Sequence, residues 1–141
     1  MSVLEATKAL GVELAQRLPA EAILLLKGPL GAGKTSLVQG IALALGIGEP
    51  ITSPTFALAQ HYMDGNPPLI HLDLYRLEQP GAADALFLQE DEEAKAIGAL
   101  LAVEWPERLR LKLPEAWQLE LSHTNDGGRR AQLTPPKKAS T

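Results

Sequence analysis

The stretch Ile23-Leu24-Leu25-Leu26-Lys27-Gly28-Pro29-Leu30-Gly31-Ala32-Gly33-Lys34-Thr35 decides the fold. It opens on four apolar residues without alternation, the pattern of a strand covered on both faces of a parallel sheet. A glycine-rich turn follows. From Lys34 the spacing becomes helical, with Leu37, Ile41, Ala44 and Leu45 on one face and Gly46 as a stop. Gly28 to Thr35 has the spacing G-x-x-x-x-G-K-[ST] of a P-loop. Glycine allows backbone torsions closed to other residues, so successive N–H groups converge on an anion. The helix that starts near Lys34 aims its positive dipole end at the same place. Lys34 has the reach for β- and γ-phosphates, and the Thr35 hydroxyl suits Mg2+. At average residue frequencies, about 0.005 chance matches are expected in a chain of this length. A glycine-rich turn with a solvated lysine is therefore the weaker reading. The segment predicts a nucleoside triphosphate site lined by Gly28, Gly31, Ala32, Gly33, Lys34, Thr35 and Ser36.

Outward from this unit, Ser2 to Leu18 reads as a helix. Ser2 and Glu5 form a possible capping box, Leu10, Leu14 and Leu18 repeat every four residues, and Pro19 ends it. Downstream, Pro50 to Pro54 reads as loop and Phe56 to Tyr62 as a strand. Met63 to Pro68 is turn chemistry. Leu69 to Leu74 alternates, with His71 and Asp73 opposite Ile70, Leu72 and Leu74. After Gln79-Pro80-Gly81, Ala82 to Ala96 is helical or irregular, and its acidic run Glu90-Asp91-Glu92-Glu93 reads as a solvated face. Ile97 to Val103 reads as another buried strand. Trp117 to His123 and Arg130 to Leu133 suggest a hairpin across Asn125-Asp126-Gly127-Gly128. The predicted fold is α/β: a single P-loop domain over 1–133, with a mostly parallel central sheet flanked by helices and a C-terminal hairpin. Residues 134–141 read as a frayed tail.

Composition limits the functions open to such a domain. The 141 residues are 45% hydrophobic and 21% charged, which is ordinary for a globular chain. There is no cysteine, which excludes disulfides, thiolate metal sites and cysteine nucleophiles. A net charge of −4 argues against gripping nucleic acid by bulk charge. No apolar stretch is long enough for a membrane span and no secretory signal is visible, so a cytoplasmic location is expected.

A P-loop enzyme needs a second anchor for Mg2+, normally an acid where a neighbouring parallel strand ends. Asp73 and Glu104 both stand at such ends, and Glu104 follows the more apolar run. Trp105 is open between stacking on a base and plain packing. His71 reads as a hydrogen-bonded structural histidine, with an acid–base role less favoured. Thr55, in Ser53-Pro54-Thr55, is a candidate switch hydroxyl over the γ-phosphate, with a turn role as the alternative. Arg76 and Arg108 are the arginine-finger candidates, and each reads more readily as a surface arginine.

Taken together, Gly28 to Thr35, Thr52-Ser53-Pro54-Thr55-Phe56, His71-Leu72-Asp73-Leu74-Tyr75-Arg76-Leu77 and Val103-Glu104-Trp105-Pro106-Glu107 resemble the bacterial TsaE (formerly YjeE) family. That family is the ATPase needed to make threonylcarbamoyladenosine in tRNA. The resemblance spans about Ser2 to Leu133, and the Asp-x-Tyr-Arg-Leu and Glu-Trp-Pro segments make it specific. It implies ATP and Mg2+ as cofactors, Lys34 and Thr35 on phosphate and metal, Glu104 as a metal ligand, and Asp73 as a Walker-B-like acid near the metal. It implies that Thr55 belongs to a switch loop. Trp105 and Glu107, and with them Thr7 and Arg129, are implied near the nucleotide. Ala57 and Ala59 depart from the family's more usual Thr and Val. The implied partners are TsaD and TsaB, with tRNA contacted through their complex and slow turnover until they assist. Two rival classes remain at this stage: a small-molecule kinase, for which the chain has little length left, and a nucleotide-sensing interaction module.

Overall fold

The computed structural model describes residues 3–29, 33–52 and 58–137. In chain order these form α1 (Val3–Arg17), β1 (Ile23–Lys27), α2 (Lys34–Ala44), β2 (Ala59–Tyr62), β3 (Leu69–Asp73), α3 (Ala82–Ile97) and β4 (Leu100–Glu104). A single 3-10 turn (Pro106–Arg108) then leads to β5 (Trp117–His123) and β6 (Arg129–Thr134). The strands make one sheet in the order β2-β3-β4-β1-β5-β6. The inner four strands run parallel. Both edge strands, β2 and β6, pair antiparallel to their neighbours. This is the mostly parallel α/β sheet with a C-terminal hairpin that the sequence predicts.

Side-chain parity divides the core into two layers. Leu24, Leu26, Leu69, Leu100 and Ala102 pack with Leu14, Leu37 and Ile41 on the α1–α2 side. Leu25, Ile70, Leu72, Leu101 and Val103 pack with Phe87 and Ala94 on the α3 side. Leu24, Leu26, Leu69 and Leu72 have no exposed surface. Burying each contributes on the order of 1.5–3 kcal/mol relative to exposure. That two-sided burial is the reason β1 and β4 carry no polar alternation.

The α1–α2 pair is joined by a backbone approach at Gly11 and Gly40. A Cβ on Gly40 would lie 1.9 Å from the Lys8 carbonyl oxygen, and one on Gly11 would lie 2.1 Å from that of Leu37. No other residue type fits at this crossing.

Three expectations need correction. Ile97 belongs to α3 and not to the following strand, because Gly98 adopts φ 70 and closes the helix behind it. β4 therefore starts at Leu100 and runs on through Glu104. Glu90 is not part of a solvated face: it is 6% exposed and bonds His61 Nε2 on β2 at 2.7 Å. Finally, β6 reaches Thr134, which pairs with Gln118, one residue into the segment read as tail. β2 is described only from Ala59, and Phe56 and Ala57 lie outside the described residues.

Candidate functional site

The site forms where the parallel strands end. In β3–β4 register Asp73 lies opposite Glu104, and in β1–β4 register Glu104 lies opposite Leu26. Glu104 shares its parity with Leu100 and Ala102, and Asp73 shares its parity with Leu69, so both carboxylates leave the sheet on the α1–α2 side. Lys34, the first residue of α2, enters from that side. Gly33 precedes it at φ 102, a left-handed conformation that favours glycine.

Lys34 is 5% exposed and donates from Nζ to the Gly28 carbonyl at 2.7 Å. Its ammonium also sits 3.9 Å from the centre of the Trp105 ring. Burial pushes the Lys34 ammonium below the usual lysine range, and the charges of Glu104, Glu107 and Asp73 partly offset that. Trp105 takes φ 60, unusual for a residue with a side chain, directly after β4 and before Pro106. Tyr75 packs against Trp105, with ring centres 4.7 Å apart and planes tilted by 44°. Arg108 lies 5.8 Å from the Tyr75 ring centre and donates through Nε and Nη2 to the Tyr75 carbonyl.

Asp73 accepts the Tyr75 N–H at 3.0 Å. Burial raises its carboxyl above the usual range; the Tyr75 bond opposes this and Glu104 adds to it. Glu104 is 3% exposed, and its Oε2 lies 2.6 Å from His71 Nε2.

The remaining predicted residues separate into two places. Thr7 on α1 and Arg129 at the start of β6 converge on Gly33. A Cβ there would lie 2.8 Å from the Arg129 guanidinium and 3.2 Å from the Thr7 methyl carbon. Thr35 and Ser36 occupy the first turn of α2, half-buried beside Lys34. Glu107 instead lines a cavity of about 490 Å³ with Leu25, Lys27, Lys112 and Lys137. Gly31, Ala32 and Thr55 lie outside the described residues.

His71 is the hydrogen-bonded histidine that the sequence predicts, although its partner is not readable there. Tyr75 enters the sequence reading only within Asp-x-Tyr-Arg-Leu and without a role, since its contact depends on where Trp105 turns. The His71–Glu104 bond joins residues 33 apart in the chain and becomes visible only with the β3–β4 register. Chemically, the cluster offers one ammonium, one hydroxyl and two carboxylates, all hard groups suited to phosphate and Mg2+. Among the described residues no three His, Cys, Asp or Glu side chains form a metal cage.

Comparison with known proteins gives the same answer throughout. The family model "Threonylcarbamoyl adenosine biosynthesis protein TsaE" matches residues 1–131. The chain is 43% identical over 131 residues to the tRNA threonylcarbamoyladenosine biosynthesis protein TsaE of Nostoc sp., covering 93% of this chain and 81% of that one. It is 37% identical to the TsaE protein of Bacillus subtilis, covering 92% and 80%. A crystal structure of Bacillus subtilis YdiB superposes with a TM-score of 0.74 at 32% identity, covering 96% of this chain and 82% of that one. Family model, relatives and solved structure agree, and the chain belongs to the TsaE family.

Proposed function

We propose that this chain is a Mg2+-dependent ATPase that serves threonylcarbamoyladenosine formation in tRNA, working in association with a TsaB–TsaD complex in the cytoplasm. Lys34, Asp73 and Glu104 converge at the C-terminal ends of parallel strands, and that convergence carries the reading. The family's role in making the modified nucleoside supplies the biological context.

In this reading the triphosphate lies along the Gly28 to Thr35 turn. Lys34 exchanges its bond to the Gly28 carbonyl for the β- and γ-phosphates. Thr35 and Glu104 hold the metal, with Asp73 beside it or its water. Bound Mg2+ supplies charge neutralisation at the phosphate oxygens. Thr55 belongs to the loop that covers the γ-phosphate, and Thr7, Arg129, Trp105 and Glu107 flank the nucleotide. Hydrolysis then depends on stabilising charge that spreads over the transferred phosphoryl group. Arg108 donates to the Tyr75 carbonyl, so one of the two arginine-finger candidates is engaged within the chain.

The test is phosphate release and tRNA modification by the reconstituted assembly with and without this chain. Lys34→Ala and Glu104→Ala are each expected to reduce hydrolysis by at least about 100-fold. Near-normal turnover in both variants overturns the assignment. Phosphate release that strictly requires a small-molecule acceptor would identify a kinase instead.

A further inference from the structure

We infer that His71 is a positioning residue, which fixes the Glu104 carboxylate so that one oxygen is presented to the divalent cation. The inference rests on the proposed function for the cation and for Glu104 as its ligand, and on this structure for the contact between His71 and Glu104. His71 Nε2 and Glu104 Oε2 are 2.6 Å apart, with side chains 0% and 4% exposed. In this inference His71 Nε2–H donates and Glu104 Oε2 accepts. His71 Nδ1 is the one buried side-chain nitrogen or oxygen without a hydrogen-bond partner among the described residues.

That orphan carries a desolvation cost, on the order of 1–3 kcal/mol for such a group. An apolar side chain at position 71 would fit the α1–α2 layer, where its neighbours of like parity are Leu69 and Ala102, without that cost. What the histidine supplies in return is a single donor aimed at Glu104. Glu104 needs one: it is buried and has Asp73, a like charge, at the opposing register position. The bond to Oε2 fixes the side chain against that repulsion and leaves Oε1 for the cation. Because His71 is fully buried behind Glu104, it has no path to substrate or water, which sets aside the acid–base role. Hydrogen-bonding partners of metal ligands commonly account for 10- to 100-fold in metal affinity.

Mn2+ is the probe. Its affinity is measured by electron paramagnetic resonance in the presence of a non-hydrolysable ATP analogue, and nucleotide affinity is measured separately with a fluorescent ATP analogue in EDTA. His71→Leu is expected to weaken Mn2+ binding about 10- to 100-fold and to leave metal-free nucleotide affinity unchanged. His71→Gln, which keeps an N–H donor at similar reach, is expected to restore most of the loss. His61→Leu removes the other His–Glu pair and is expected to leave Mn2+ affinity unchanged. The inference is overturned if His71→Leu binds Mn2+ as the wild type does, if both affinities fall together, or if Gln is no better than Leu. Should the Leu variant fail to fold, 15N-histidine NMR on the unaltered protein decides. A proton on Nε2 supports the inference, and an Nε2 without one overturns it. A wild-type protein that binds neither nucleotide nor Mn2+ fails the proposed function at its first step, before any variant is compared, and overturns both.

Discussion

Asp73 and Glu104 end adjacent parallel strands at the same register position, so a half-buried carboxylate and a buried one lie side by side, with the Lys34 ammonium close enough to feel both. In the absence of nucleotide this arrangement works against the fold. Burial holds the Asp73 carboxyl above its unfolded value, so the folded state binds more protons than the unfolded state across that interval. Asp73's contribution to stability is therefore most favourable below its unfolded value, near 4, and is lost as pH rises through the raised one. Asp73→Asn keeps an oxygen for the Tyr75 N–H and removes the charge. It is expected to raise the melting temperature at pH 7 without metal, with a gain that shrinks towards pH 4, while ATP hydrolysis falls. Thermal melts of both proteins at the two pH values check this, and a variant less stable at pH 7 contradicts it. Lys34, Asp73 and Glu104 were legible in the sequence because motif spacing and strand ends are local signals. His71 and Tyr75 were not assigned their contacts, because those depend on the register of β3 against β4 and on the turn at Trp105.

At the scale of elements, the crossing of α1 and α2 holds the first turn of α2, and with it Lys34, against the sheet. Gly40 sits mid-helix, where alanine is intrinsically favoured by about 1 kcal/mol. Tertiary packing reverses that preference, since the new methyl would lie 1.9 Å from a backbone carbonyl oxygen that cannot rotate away. Gly40→Ala is expected to cost at least about 2 kcal/mol in urea unfolding. Gly48→Ala, with nothing within 4 Å of the added carbon, is expected to be near neutral. A Gly40→Ala protein as stable as the wild type, or more stable, would show that propensity governs and packing does not. The helical face of α2 was readable because its apolar spacing is local. The glycine crossing was not, because Gly11 and Gly40 carry no mark of which helix each meets. The same limit explains Glu90: an acidic run reads as solvent-facing until β2 brings His61 over it. Local chemistry also bounded α3, though Gly98 at φ 70 ends it one residue later than the predicted Ala96.

Across the whole molecule, the glycine-rich turn brings the first helix and the last strand together at Gly33. Thr7 arrives on the first helix and Arg129 on the last strand, and both lie against Gly33. A ligand that occupies the turn therefore acts on α1, the start of α2 and the β5–β6 hairpin together, although Thr7 and Arg129 stand more than a hundred residues apart in sequence. Binding to the folded state alone stabilises it by mass action, about 2.7 kcal/mol at a hundredfold excess over Kd. Such global stabilisation slows only those amides that exchange by complete unfolding. Amides that exchange by local opening respond where the ligand makes or tightens contacts. Hydrogen exchange with Mg2+ and a non-hydrolysable ATP analogue is thus expected to show slowed local exchange in the first two turns of α1, at residues 33–36, and at the hairpin turn before Arg129. The α3 helix packs on the far side of the sheet and its locally exchanging amides are expected to stay unchanged. The hairpin turn is the decisive probe, because its backbone is exposed and exchanges by local opening. If only residues 33–36 gain protection, Thr7 and Arg129 pack beside the site without belonging to it. If the hairpin and α1 slow with them, the two ends of the chain form one wall of the nucleotide site. Arg129→Ala should then weaken nucleotide binding about 10-fold and remove protection from the hairpin first.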